Sequence, residues 1–172
     1  MKTIYLDHAA TTPMAKEVIV RMTEAMERVY GNASSIHTAG REARKFLDEA
    51  RSILAHSINA STNEIIFTSG GTEADNMAIF GTAYARKLEG KHIITTQIEH
   101  HAVLHACEKL EKEGFDVTYL PVDEYGCVRV EDVAAALRED TILVTIMYGN
   151  NEVGTIQPIR EIGELLKDHQ AT

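Results

Sequence analysis

The stretch EIIFTSGGTEADN, Glu64 to Asn76, runs from an apolar segment through Ser-Gly-Gly-Thr into a helix-forming pattern. Gly70 and Gly71 have no Cβ, so the backbone there can take positive φ and lie close to another group. If a helix starts near Thr72, its first N–H groups lack intrahelical acceptors and point back at the turn, where they can hold a phosphate. A tight strand-to-helix turn asks for the same residues. The segment reads as strand, turn and helix, with the purpose of the turn left open.

Outward from this stretch the same alternation recurs. Residues 72–88 read as a helix with Met77, Phe80, Tyr84 and Leu88 inward, and KHIITT (91–96) as a strand. A helix over 101–113, the strand FDVTYLP, a helix over 130–138, the strand TILVTIM and a helix over 158–168 follow. On the amino-terminal side, Val18, Met22, Ala25, Met26 and Val29 recur at helical spacing up to Gly31-Asn32. Ala43, Phe46, Leu47, Ala50, Ile53, Leu54 and Ile58 mark the face of a second helix, and GNASSIH between the two is a loop by composition.

Strands alternating with helices of this length indicate βαβ units, so the expected fold is α/β, a mainly parallel sheet flanked by helices. The run Ile142 to Met147 suits a strand buried on both faces. Residues 1–37 form an amino-terminal helix and loop segment, and 38–172 the α/β portion. The last helical pattern reaches almost to Thr172, where an α/β chain often returns to another strand.

The 172 residues suffice for one sizeable core, and 44% hydrophobic with 25% charged residues is ordinary for a soluble globular protein. A net charge of −9 argues against broad contact with nucleic acid or anionic membrane. Any phosphate must then be held locally by backbone donors. Cys107 and Cys127 make neither a disulfide framework nor a CxxC pair, which favours a reducing compartment. The start MKTIYLDHAATTP lacks the apolar core of a signal peptide, and no run reaches the roughly 18 apolar residues of a membrane span. The expected location is cytoplasmic.

Ligands of open parallel sheets sit beyond the carboxyl ends of the strands. Those ends deliver Gly70, Gly71 and Thr72; then Gln97, Glu99, His100 and His101; then Tyr148, Asn150, Asn151 and Glu152. His100, at a strand-to-helix junction, can stack on a planar heteroaromatic ring or shuttle a proton, or it can simply bond the helix start. Asn151 can hold a phenolic oxygen and a substrate carboxylate, or serve an Asx turn. His101 and His105 stand four apart, but no third ligand lies at metal-site spacing, so they read as helix-surface residues and no metal is expected. Cys107 continues the inward face of Val103, Leu104 and Leu110, while Cys127 lies near a turn without a flanking base.

Five blocks carry a resemblance: YLDHAATTP (Tyr5–Pro13), GNASSIH (Gly31–His37), IIFTSGGTEADN (Ile65–Asn76), IEHHAV (Ile98–Val103) and IMYGNNEVGTIQPI (Ile146–Ile159). In this order and separation they resemble the amino-terminal half of the cysteine desulfurases, the NifS/IscS-like group of class V aminotransferase-fold enzymes. The resemblance implies part of the large domain of a fold-type I enzyme using pyridoxal 5′-phosphate. Such an enzyme takes sulfur from L-cysteine, leaves L-alanine and passes a persulfide to an acceptor or iron–sulfur scaffold protein, usually as a homodimer. It implies that Gly71 and Thr72 bind the cofactor phosphate, that His100 stacks on the ring and moves protons, and that Asn151 contacts the phenolic oxygen and the substrate carboxylate. DHAATT and GNASSIH would line the substrate mouth or the dimer contact.

By the same resemblance, the cofactor-anchoring lysine, the aspartate facing the pyridinium nitrogen and the mobile-loop cysteine would lie beyond Thr172. None of Lys2, Lys16, Lys45, Lys87, Lys91, Lys109, Lys112 or Lys167 stands in a matching motif, so this chain alone is expected to be inactive. Two other readings remain open at this point. One is another class V aminotransferase-fold enzyme, such as a selenocysteine lyase or a transaminase; the other is a non-catalytic half-chain acting as a binding module.

Overall fold

The structure is a computed structural model describing residues 4–172; Met1, Lys2 and Thr3, which open the 1–37 segment, lie outside the described residues. The chain divides into two compact units, the first ending at Phe67 and the second covering Thr68–Thr172. The first holds helix α1 (Lys16–Arg28), helix α2 (Thr38–Ser57) and a single 3-10 turn at Thr62–Glu64. The boundary drawn from sequence at 37/38 falls inside this unit. The reason is local: α2 is fastened at both ends to its own neighbours in the chain.

At the start of α2, His37 Nδ1 accepts from Gly40 N at 3.3 Å and caps the helix. The GNASSIH loop lies so close that a Cβ on Gly31 would stand 2.2 Å from the Ala39 carbonyl oxygen, which only glycine avoids. Farther along, the Arg51 guanidinium donates to the Ile65 carbonyl and lies over the Phe67 ring, 4.9 Å from its centroid. Glu64 Oε2 accepts from Ser61 N at 2.6 Å and closes the 3-10 turn.

The strand expected over EIIFTS is not formed. Ile65 is extended, at φ −90° and ψ 125°, yet no ladder involves residues 65–69, and Ile66 is 65% exposed. A strand exists only through its neighbour, and among the described residues this segment has none.

The second unit contains helix α3 (Gly71–Arg86), strand β1 (His92–Thr96), helix α4 (His101–Lys112), strand β2 (Asp116–Leu120), helix α5 (Val130–Ala136), strand β3 (Thr141–Val144) and helix α6 (Ile159–Leu166). Its sheet has the order β2-β1-β3, with both pairings parallel. His92, Ile94 and Thr96 face Asp116, Thr118 and Leu120 across one ladder; an irregularity after His92 brings Ile93 opposite Leu143 in the other. At the outer edge of β3, Thr172 N donates to Ile142 O at 3.1 Å and Val144 N to Thr172 O at 2.9 Å.

The two faces of the sheet carry separate cores. Ile93 and Ile142 pack with Ile79 and Ala83 of α3 and with Val103, Ala106, Cys107 and Leu110 of α4. Ile94 and Leu120 pack with Val133 of α5 and Ile162 of α6. Alternation along β1 sends successive side chains to opposite faces, which is why Ile93 and Ile94 enter different cores. Cys107 takes the core position read from its spacing. Among the described residues no helix is long and apolar enough to cross a membrane.

Candidate active site

From β1 the chain crosses to β2 on one side, while β3 lies on the other, so the crevice past the carboxyl ends of β1 and β3 is a topological switch point. His100 follows β1 and Asn151 follows β3, and both line one cavity of about 650 Å³ with Glu99, His101, Gly126 and Thr155. His100 also borders a second cavity of about 480 Å³, which it shares with Thr72, Asn76 and His105. His100 and its neighbour His101 are therefore common to the two cavities. Thr72 enters one of them and Asn151 the other, and Gly71 lies one residue ahead of Thr72, outside both linings.

His100 is the N-cap of α4: its Nδ1 accepts from Ala102 N at 3.1 Å. The neutral ring then carries its proton on Nε2. Capping uses one ring nitrogen in the ring plane and leaves the ring face and Nε2 free. The helix-start role and the ligand role weighed from sequence are thus compatible in one side chain.

The start of α3 is defined by Ala74 N donating to Gly70 O at 3.1 Å, so the N–H groups of Gly71, Thr72 and Glu73 precede the first intrahelical bond. The glycines do not serve positive φ. Gly70 is extended, at φ 165° and ψ −179°, and Gly71 is already helical. A Cβ on either would meet no heavy atom within 4 Å, so what the pair supplies is open space in front of the helix start. Asn76 fixes this start against α4, donating through Nδ2 to Thr72 O at 2.8 Å and to Ala102 O at 3.4 Å. Ser69 N and Oγ each donate to Glu73 Oε2 at 2.6 Å, and these bonds hold the Glu73 carboxyl below its ordinary range.

The two asparagines divide the tasks that the sequence left together. Asn150 serves the turn: its Oδ1 accepts from Glu152 N at 2.8 Å and Val153 N at 2.9 Å. Its Nδ2 donates to Ile98 O at 3.2 Å. The neighbouring Asn151 side chain is exposed and makes no recorded hydrogen bond among the described residues, so its amide is available to a ligand.

Two further buried polar side chains shape this edge, and sequence reasoning gave neither of them a role. Glu99 is 7% exposed, and its Oε1 accepts from Thr96 Oγ1 at 2.8 Å and Met147 N at 2.9 Å; burial pushes its carboxyl up. Gln157 is 3% exposed; its Oε1 accepts from Val128 N at 2.9 Å and its Nε2 donates to Gly126 O at 2.7 Å. Both lie in polar loop sequence, where nothing marks a side chain as buried.

Of the other candidates, His101 borders both cavities and His105 the second. His101 and His105 stack with ring centroids 5.3 Å apart on the exposed face of α4, and no three His, Cys, Asp or Glu side chains converge among the described residues. The Cys107 thiol is fully buried and pushed up to about 12 by desolvation, so it is inert as a nucleophile. Cys127 sits in a turn where Asp123 Oδ1 accepts from its backbone N at 2.8 Å.

Comparison with known proteins identifies the family. Residues 4–172 match the Aminotransferase class-V family. A Bacillus subtilis (strain 168) protein named IscS 1 is 66% identical over 171 residues, 99% of this chain and 45% of that protein. The cysteine desulfurase IscS of Methanosarcina thermophila is 54% identical over 169 residues, 98% of this chain and 42% of that protein. Among solved structures, SspA in complex with cysteine superposes with a TM-score of 0.92 at 41% identity, covering 98% of this chain and 49% of that one. The chain spans less than half the length of each of these relatives. With its residues matched from Ile4 to Thr172, the chain belongs to the class V aminotransferase family.

Proposed function

We propose that this chain forms the phosphate and ring side of a pyridoxal 5′-phosphate site in a cysteine desulfurase. The observation that carries the reading is the convergence on His100 of two cavities, one reaching Thr72 at the start of α3 and the other reaching Asn151 beyond β3. The residues suit the cofactor: helix N–H groups ahead of the first intrahelical bond, with the space that a Cβ at Gly70 or Gly71 would fill left open, match a phosphate.

When bound, the cofactor supplies an electron sink for bonds at the α-carbon of an amino acid substrate. The role of this chain is positioning. Gly71 and Thr72 would bind the phosphate through backbone N–H and the Thr72 hydroxyl. His100 would lay its ring against the pyridine and exchange a proton at Nε2. Asn151 would donate to the phenolic oxygen and to the substrate carboxylate. The overall reaction is transfer of sulfur from L-cysteine through an enzyme persulfide to an acceptor or iron–sulfur scaffold protein, with release of L-alanine.

Two free thiols, one in the core, support a reducing, cytoplasmic setting. A homodimer is the accompanying proposal, supported by the exposed apolar side chains of α1 and α2. The deciding experiment is incubation of the full-length protein, reconstituted with pyridoxal phosphate, with L-cysteine and a reductant. Equimolar alanine and sulfide support the reading. Amino transfer to a keto acid without sulfide would replace it with a transaminase. The 172-residue chain alone should release neither product above a cofactor-only control.

A further inference from the structure

Each ligand-facing residue of the crevice stands directly after a residue that ties the two walls together. Glu99 precedes His100, and Asn150 precedes Asn151. The Glu99 carboxylate, rooted on Thr96 at the end of β1, reaches across to Met147 N at 2.9 Å. Asn150 reaches back in the opposite sense, from the β3 side to Ile98 O at 3.2 Å. The two side chains reach in opposite directions between the same pair of segments, 96–100 and 147–151, and both bonds are donated from the second segment to the first. No backbone ladder does this work: Thr145 N donates to Ile94 O at 2.9 Å where β1 and β3 end, ahead of both segments. Beyond that point, among the described residues, the hydrogen bonds that join the two segments are made by side chains.

We propose that Glu99 and Asn150 form a reciprocal clamp, acting as positioning residues that fix the spacing of His100 and Asn151 across the crevice. The inference rests on the cofactor-site reading and names the part of the chain that makes that site rigid. A carboxylate is a costly residue to bury, and an apolar side chain would fill the place of Glu99 at less cost if packing were its purpose. As an acceptor for two donors from two segments, it has a task that an apolar residue lacks. Asn150 is similarly overcommitted, with Oδ1 shaping the 150–153 turn while Nδ2 anchors that turn to Ile98. A ligand that must touch Nε2 of one wall and an amide of the other binds best when the walls are already spaced.

The test uses Glu99→Gln, Glu99→Ala, Asn150→Ala and, as a matched control for general destabilisation, Val133→Ala in the core on the far face of the sheet. Gln retains an acceptor oxygen for Thr96 and Met147, so it should keep the clamp intact. In the 172-residue chain, amide exchange at Met147 should accelerate at least tenfold in Glu99→Ala relative to β1 amides, and remain unchanged in Glu99→Gln. In the full-length protein, pyridoxal phosphate should bind about tenfold more weakly in Glu99→Ala and Asn150→Ala, but within twofold of wild type in Glu99→Gln and Val133→Ala. Equal weakening in Val133→Ala would reduce the clamp to general stability and overturn the inference. So would faster Met147 exchange in Glu99→Ala with unaltered cofactor affinity, because the walls would then be loosened without consequence. Wild-type protein that takes up no cofactor, with the exchange pattern as expected, would overturn the site reading and with it the ligand half of the inference, leaving the clamp as a purely structural device.

Discussion

His92 Nδ1 lies 2.7 Å from Thr141 Oγ1, while the Nε2 of the same ring lies 2.8 Å from Thr118 Oγ1, so one buried imidazole joins all three strands of the sheet. Truncating it leaves a cavity and two hydroxyls deprived of a partner. His92→Ala should lower the stability of the chain by about 3 kcal/mol in urea unfolding. Burial, then the Arg138 charge, hold His92 below its ordinary 6.5. The unfolded chain therefore takes up the proton first as pH falls, and wild-type stability should decline from that ordinary value downward, levelling below the lowered folded one. The variant should lack this component of the slope, and an identical slope in both would assign it to other groups.

Glu99 titrates with the opposite sign. Its folded pKa is raised above the ordinary 4.5, mainly by burial, so its contribution is fully present below that value and is lost as pH rises through the folded one. Glu99→Gln should thus gain stability over wild type as pH increases above about 4.5. Urea midpoints from pH 4 to 8 check this. A gap that narrows with rising pH would contradict it.

His100→Asn should separate the cap from the ligand role. Asparagine is a good N-cap, so α4 should keep its stability within about 0.5 kcal/mol, whereas His100→Ala should lose about 1 kcal/mol. Both should impair cofactor retention in the full-length protein, more than His101→Ala or His105→Ala do. Normal cofactor affinity in His100→Asn would show that the ring only caps the helix.

Gly71→Val places side-chain carbons in space that is open in the chain itself. Its unfolding free energy should shift by no more than about 0.5 kcal/mol, because valine has at least the helix propensity of glycine. Affinity for inorganic phosphate or pyridoxal phosphate should fall at least tenfold in the full-length protein. A folded variant with unaltered affinity would place the phosphate elsewhere.

Thr95 Oγ1 is buried with no hydrogen-bond partner among the described residues. Thr95→Val, nearly isosteric, removes an unsatisfied hydroxyl and should stabilise the chain by about 1 kcal/mol in thermal or urea unfolding. A loss of that size would reveal a partner for the hydroxyl.

The sequence by itself determined the features that depend on neighbours along the chain. Helical spacing of Val103, Leu104, Cys107 and Leu110 located α4 and its inward face, and the apolar runs around Ile93 and Ile142 located β1 and β3. The Gly-Gly turn at the start of α3, and His100 at the start of α4, were readable for the same reason: capping and turn chemistry act over four or five residues. Tertiary structure decided what depends on partners distant in sequence. EIIFTS has strand composition, yet without a paired neighbour among the described residues it forms no strand. Gly70 was read as a site for positive φ, but its extended backbone shows that open space is what it provides. Glu99, Asn150 and Gln157 looked like loop polarity. Only the meeting of segments some fifty residues apart for Glu99 and Asn150, and about thirty for Gln157, put their bonds across the crevice and its rim, because burial and pairing between separate segments are set by the fold.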